Sequence, residues 1–288
     1  MARQKVRVLG SMRPEQSAAG SIMTALLALF APLTVRSQGL PPGEMSADRP
    51  DFTESTGTVV PGWLQVEGGV LASRTRQGNV TVRDLGMPLA LVRSGVAPWL
   101  ELRVANDGLQ RRTLMGGGIA EIHPGFSDAG AGVKARLTRE RRFLPAIAVL
   151  TVLSLPVGSR YFSSGSADLD VRLAWSRSFP RGFDATGNFS FGWRTVESHR
   201  QPQRSNNLSI GQCLPGRLRG FWEIYHVAPG NGDHTGQVFA DTGLARPVGD
   251  NVQVDIAVGR SIRGPAPGWF VTAGFAVRTS RLRVSRPH

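Results

Sequence analysis

The sequence predicts an all-β chain, a transmembrane antiparallel up-and-down β-barrel of about twelve strands. Three observations carry that prediction. Long segments alternate apolar and polar residues with period two, and the polar positions carry full charges in mid-strand. Proline recurs beside the start of every second segment. No stretch reaches the roughly 18 apolar residues of a spanning helix, so a membrane-spanning form of this chain must be a closed barrel, whose backbone amides all find internal partners.

Composition narrows the alternatives. The 288 residues carry a net charge of +13, and 41% are hydrophobic. Cys213 is the one cysteine, which excludes a disulfide scaffold. Only Lys5 and Lys134 are lysines, so 32 of the 34 cations are arginine. They form no continuous basic stripe, which argues against a nucleic-acid partner.

The elements follow in order. Arg3, Lys5, Arg7 and Arg13 precede an apolar run from Ile22 to Val35. Fourteen residues are too few to span a bilayer but suit a secretory signal over 1–37, cut after Ser37. Residues 38–61 form an N-terminal segment, 62–277 the barrel and 278–288 a basic tail with four arginines. The signal removes +4 and the tail holds another +4, which leaves +5 for residues 38–277.

Strands are expected near 62–73, 80–93, 98–106, 128–138, 145–156, 167–179, 183–196, 206–214, 217–227, 235–245, 250–260 and 267–277. Leu100, Leu102 and Val104 oppose Glu101 and Arg103. Val133 and Leu137 oppose Lys134 and Arg136, and Leu169, Val171 and Leu173 oppose Asp168, Asp170 and Arg172. Phe189, Phe191 and Trp193 oppose Asn188, Ser190 and Arg194, and Val254 and Ile256 oppose Gln253 and Asp255. These segments run about nine to thirteen residues, against five or six in globular strands and nine to eleven in membrane barrels.

Proline cannot donate to a ladder and belongs at strand starts and turns. Pro61, Pro98, Pro145, Pro180, Pro215 and Pro247 therefore mark six hairpin units, with short turns at one end and longer loops at the other. The longest predicted loop runs from Asp107 to Ser127, and Gly116-Gly117-Gly118 reads as flexible loop rather than phosphate cradle. Aromatic residues cluster near both sets of strand ends: Trp63, Trp99, Phe179, Phe183 and Trp222 by the short turns, and Tyr161, Phe162, Trp193, Trp269 and Phe270 by the loops. Two interfacial girdles are the expectation.

The inward-facing candidates for the lumen are Glu67, Glu101, Arg103, Lys134, Arg136, Asp168, Asp170, Arg172, Arg194, Glu223 and Asp255. Both signs occur, so they can pair across the wall and narrow the pore, or fill the interior outright. The motif Asp48-Arg49-Pro50-Asp51 precedes the first strand. Its charges fit a periplasmic segment tucked into the periplasmic mouth of the barrel, with Arg49 paired to lumen carboxylates.

Residues 47–72, from Ala47-Asp48-Arg49-Pro50-Asp51-Phe52-Thr53-Glu54-Ser55-Thr56 through Val60-Pro61-Gly62-Trp63-Leu64-Gln65-Val66-Glu67-Gly68-Gly69, resemble the opening of the outer-membrane family named for the meta-cleavage pathway of phenol degradation. Trp99–Arg103, Asp128–Lys134, Ala148–Gly158, Asp250–Asp255 and Gly268–Val271 are similar to the same pattern. The resemblance covers about residues 46–278 and implies an outer-membrane barrel that takes up aromatic or hydrophobic compounds. Barrels of this kind usually end on an aromatic strand terminus, and the basic tail after Val277 departs from that.

The leading reading is thus a passive channel for a small-molecule solute. An alternative is a structural barrel with a plugged lumen, its loop arginines (Arg74, Arg76, Arg111, Arg112, Arg200, Arg204) on lipopolysaccharide phosphates. A third is a lipid-modifying enzyme using one of His123, His199, His226 or His234, which are placed on the loop side. No sequence pattern pairs a histidine with a serine or spaces ligands for a metal, so neither a catalytic residue nor a cofactor is expected. Cys213 alternates with Ser209 and Gly211 as a small wall residue.

Overall fold

A computed structural model describes residues 45–196, 198–229 and 236–279. The predicted signal and residues 280–288 of the predicted tail lie outside these, as do His234 and His288.

Fifteen strands follow in chain order: β1 Leu64–Gln77, β2 Val80–Met87, β3 Ala90–Ala97, β4 Leu100–Asn106, β5 Leu109–Gly116, β6 Ile119–Phe126, β7 Ala129–Thr138, β8 Ala146–Leu155, β9 Asp168–Phe179, β10 Phe183–Val196, β11 His199–Leu214, β12 Leu218–Pro229, β13 Gln237–Pro247, β14 Val252–Arg263 and β15 Gly268–Thr279. Twelve of them (β1, β3, β4 and β7 through β15) close into one antiparallel barrel. The closing seam pairs β1 with β15, from Leu64 opposite Thr279 to Thr75 opposite Gly268.

The remaining three strands extend the wall. The far half of β1 pairs with β2, β2 with β5 and β5 with β6. Its near half pairs with β3 instead. Pro88 cannot donate to a ladder and separates β2 from β3, while Leu89 N–H turns to Gly69 O at 2.7 Å. Asn106 holds the matching break between β4 and β5. Its amide donates to Ser127 O and Asp128 O, and its Oδ1 accepts Gly108 N–H. The far edge of β6 has no strand partner among the described residues. The 156–167 connection lies against it, with Ser159 N–H on Phe126 O at 2.9 Å and Tyr161 stacked on His123.

Three expectations are corrected here. The stretch Asp107–Ser127 is no loop but the β5–β6 hairpin, and Gly117-Gly118, both at positive φ, make its tight turn. The predicted 80–93 strand is two strands, β2 and β3. The predicted 206–214 strand begins at His199, so only two residues separate it from β10. The six arginines expected in loops accordingly stand on strands: Arg74 and Arg76 on β1, Arg111 and Arg112 on β5, Arg200 and Arg204 on β11. Of the histidines, His123 is in β6, His199 opens β11 and His226 is in β12.

The outer face is apolar. Leu173, Phe189, Trp222, Ile224, Ile256 and Phe275 are all exposed, alternating with buried neighbours. The inner face is the reverse of a globular core. Its largest fully buried side chains are Arg93, Lys134, Leu150, Gln65, Glu67, Glu101 and Asn188. The seam register supplies a direct test. Cysteines at Val70 and Ala273, which face each other, should form a disulfide that changes gel mobility under oxidation; a failure to cross-link would contradict closure in this register.

Candidate functional site: a charged segment inside the barrel

The interior is filled by the chain that precedes β1. From Ser46 it rises along β1, β3 and β4, turns near Asp51 and Phe52 against β12, and returns along β10 and β9 to Val59 beside β4.

Asp48 is its main anchor. Its carboxylate meets Arg103 Nη2 at 2.9 Å, Lys134 Nζ at 3.0 Å and Arg93 Nη1 at 3.3 Å. Ser55 Oγ–H donates to it at 2.8 Å, which ties the rising and returning arms together. Its own N–H donates to Glu67.

Arg93 joins this anchor to the wall. Its guanidinium donates to both carboxylate oxygens of Glu101 at 3.0 Å and to Glu67 Oε1 at 3.0 Å. It also donates to Ser46 O and Gly57 O, one on each arm. Glu101 in turn accepts Val59 N–H at 2.9 Å. Glu54 adds a second layer, meeting Arg103 at 2.7 Å, Lys134 at 3.4 Å and Arg172 at 3.6 Å. Four cations (Arg93, Arg103, Lys134, Arg172) thus face four anions (Asp48, Glu54, Glu67, Glu101) of the segment and the adjoining wall, and these eight formal charges balance. That balance is what burial requires, because an unpaired buried charge costs several kcal/mol.

The rest of the wall holds the tip and the returning arm. Arg49 donates to Thr272 Oγ1 at 2.8 Å and pairs with Asp255 at 3.3 Å. Its guanidinium lies across Gly69 and Gly274, where an added Cβ would come within 2.6 Å of it, so only glycine leaves it room. Phe52 N–H and Thr53 Oγ–H both donate to Glu223. Phe52 stacks on Tyr225 at 4.7 Å, and Tyr225 on Phe239 at 4.9 Å. Asn188 and Glu54 exchange two bonds, and Thr56 meets Ser176 at 2.6 Å.

Two cavities flank the segment. One of about 200 Å³ is lined by Ser46, Thr53, Ser209, Arg219 and Gln253, and one of about 340 Å³ by Phe52, Glu54, Leu91, Arg103 and Arg172. Arg49 and Asp51 belong to both linings.

Of the residues picked from sequence, the structure gathers Glu67, Glu101, Arg103, Lys134, Arg172, Glu223 and Asp255 around this segment. Asp170 is 3.7 Å from Arg172 at its edge. Asp168 instead accepts Thr195 N–H and Oγ–H in the far half of the wall. Arg194 is exposed there and shares a cavity lining with Asp168. Arg136 sits at the other rim, donating to Pro98 O. Sequence reasoning missed Arg93, Glu54, Gln65 and Asn188. The signal for Arg93 was its register: it stands opposite both Gln65 and Arg103, but a strand taken to end at residue 93 hid it.

Burial pushes the Asp48 carboxyl up, but Arg93, Lys134 and Arg103 outweigh it and hold the group well below the usual carboxylate range. Asp51 moves the other way. Burial, then the neighbouring Glu223, raises it well above that range.

The fold and site define a class: a closed β-barrel whose lumen is filled by its own N-terminal segment. The family described as "Putative MetA-pathway of phenol degradation" matches residues 47–279, and the chain belongs to it. The match includes both the segment and all twelve barrel strands.

Solved structures share the fold. An outer membrane channel from Pseudomonas putida F1 aligns with a TM-score of 0.59 at 10% identity, over 78% of this chain and 98% of that one. The translocator domain of the autotransporter NalP from Neisseria meningitidis aligns with a TM-score of 0.54 at 11% identity, over 75% and 88%. The transport unit of the autotransporter AIDA-I from Escherichia coli gives 0.51 at 10% identity, over 94% and 100%. No curated protein sequence matches the chain.

Asp48→Asn should cost about 3–5 kcal/mol of segment docking, because it leaves three buried cations short of a partner. The readout is faster thiol labelling of a Thr53→Cys reporter than in the same background with Asp48 intact; equal rates would contradict the anchor. The pH dependence has two signs. The depressed Asp48 stabilises docking above the ordinary carboxylate range, and that contribution is lost as pH falls through its lowered value. The raised Asp51 favours docking while protonated, so labelling should quicken as pH rises through its raised value.

Proposed function

We propose that the protein is a passive outer-membrane channel for small hydrophobic or aromatic compounds, closed in its resting form by the segment 45–60. The observation that carries this reading is a closed barrel with an apolar outer face and a lumen occupied by hydrogen-bonded polar chain rather than by fused core. An apolar exterior with a polar interior is the arrangement a bilayer demands of a barrel. A segment held by ion pairs and hydrogen bonds, and continuous with β1 at only one end, can leave without breaking the wall.

The solute class rests on two supports. The family's description names phenol degradation. In the lumen, the stacked rings of Phe52, Tyr225 and Phe239 offer aromatic surface beside the tip of the segment. The P. putida relative is itself described as an outer membrane channel, which fits the same assignment.

The number of bonds on the segment favours a second reading, a barrel permanently plugged and structural in role. Deletion of residues 46–56 separates the two. A resting channel gains conductance in planar bilayers when the segment is removed, and proteoliposomes then take up small aromatic solutes faster than sugars of similar size. Unchanged conductance would contradict the channel reading.

A further inference from the structure

We propose that the β7–β8 turn at the terminus-bearing rim is a binding site for an anionic phospholipid headgroup. The turn reads Arg139-Glu140-Arg141-Arg142-Phe143-Leu144-Pro145. Phe143 is 82% exposed and Leu144 56%, the most apolar protrusion of this rim. Arg139, Arg141 and Arg142 are exposed beside them, and among the described residues none of the three has a carboxylate within ion-pair distance.

The turn is built to present these groups. Arg141 and Leu144 exchange backbone hydrogen bonds at 2.9 and 3.2 Å. From β9, Arg177 donates to Arg141 O and Arg142 O, and Glu140 accepts Ser178 N–H and Oγ–H while facing Arg177 at 3.8 Å. The one acid of the turn is therefore engaged by β9, and among the described residues the three exposed arginines are left with no carboxylate of their own. Arg142 lies 5.1 Å over the Phe143 ring, which sets one cation directly beside the apolar tip.

The position fits a headgroup. Leu137 on β7, Trp99 in the adjacent turn and Phe179 at the foot of β9 are all more than half or about half exposed and mark the edge of the outer apolar belt. A side chain just beyond that edge meets phosphate, while Phe143 and Leu144 reach acyl chains. Guanidinium forks match a phosphodiester in shape and charge. A soluble anion would use the arginines and leave the Phe–Leu tip without purpose, so the proposal commits to lipid. It rests on the barrel's standing in a membrane, as proposed above.

The test uses the full chain reconstituted in phosphatidylcholine nanodiscs doped with phosphatidylglycerol, with retained lipid counted after detergent extraction. Each arginine near an anionic surface is worth roughly fivefold in affinity. The R139Q/R141Q/R142Q variant should therefore hold phosphatidylglycerol on the order of 100-fold more weakly. F143S should weaken lipid retention but leave competition by free glycerol phosphate unaltered. In the unmodified protein, added salt should release the lipid. Equal retention by unmodified and triple-arginine proteins overturns the proposal, as does salt-insensitive retention or full competition by glycerol phosphate. Heat-modifiable gel migration of each sample reports the barrel separately. If that migration is absent in every sample, the membrane reading fails and takes this site with it; if it is present while lipid retention is unaltered, only the site fails.

Discussion

The rest of the structure depends on the ion pairs among Asp48, Arg93, Glu67 and Glu101. Three of these side chains project from the wall and have no exposure at all, and the fourth comes from the segment they hold. Glu67 is on β1, Arg93 on β3 and Glu101 on β4, so one guanidinium ties together three neighbouring strands. The same group reaches carbonyls on both arms of the segment. Wall and segment therefore share one set of ion partners. Without the segment, Arg103 and Lys134 lose Asp48 and Glu54, and the lumen would carry unpaired charge. Water could restore some of this, because a solvated lumen pays far less for an exposed ion than a dry interior does. In the proposed channel that difference would set the chemistry of opening: release would exchange protein partners for water and break no apolar core.

The two faces of the barrel then divide the work. Outward residues such as Leu173, Phe189 and Ile256 satisfy the apolar surroundings, and inward residues such as Lys134, Glu223 and Asp255 hold the segment. Period two makes this division possible, since each strand supplies both faces without further design. The two halves of the interior differ. Near β3, β4 and β7 the segment is held by charge. Near β12 it is held by Glu223 and an aromatic stack, with the raised Asp51 close by. Acid and base therefore act on the two sides with opposite sign.

Most of the wall was legible in the sequence because alternation and proline placement report it directly. Glu101, Arg103 and Lys134 were read as inward from period two alone, and their inward position follows from local geometry. The β5–β6 hairpin was not legible. Pro124 and Gly125 interrupt the apolar alternation of β6, Gly116-Gly117-Gly118 resembles a loop, and the hairpin packs as an extension outside the barrel, where no lumen imposes a pattern. Arg93 was lost for a different reason. Its role comes from cross-strand register with Gln65 and Arg103, a long-range quantity that no local spacing contains. The place of Asp48 could be guessed from charge mix, but its three cationic partners lie 45 to 86 residues away and converge only through barrel closure.

The most direct test of the account locks the segment in place. Thr56 and Ser176 meet through their hydroxyl groups at 2.6 Å, one on the segment and one on β9. Cysteines at both positions, in a Cys213→Ser background, should form a disulfide. Conductance in planar bilayers is then measured before and after reduction. The account predicts that the oxidised channel stays closed through pH changes that open the unmodified protein, and that reduction restores those openings. Equal conductance in the two redox states across the same pH range would contradict a segment that must leave the lumen for the channel to open.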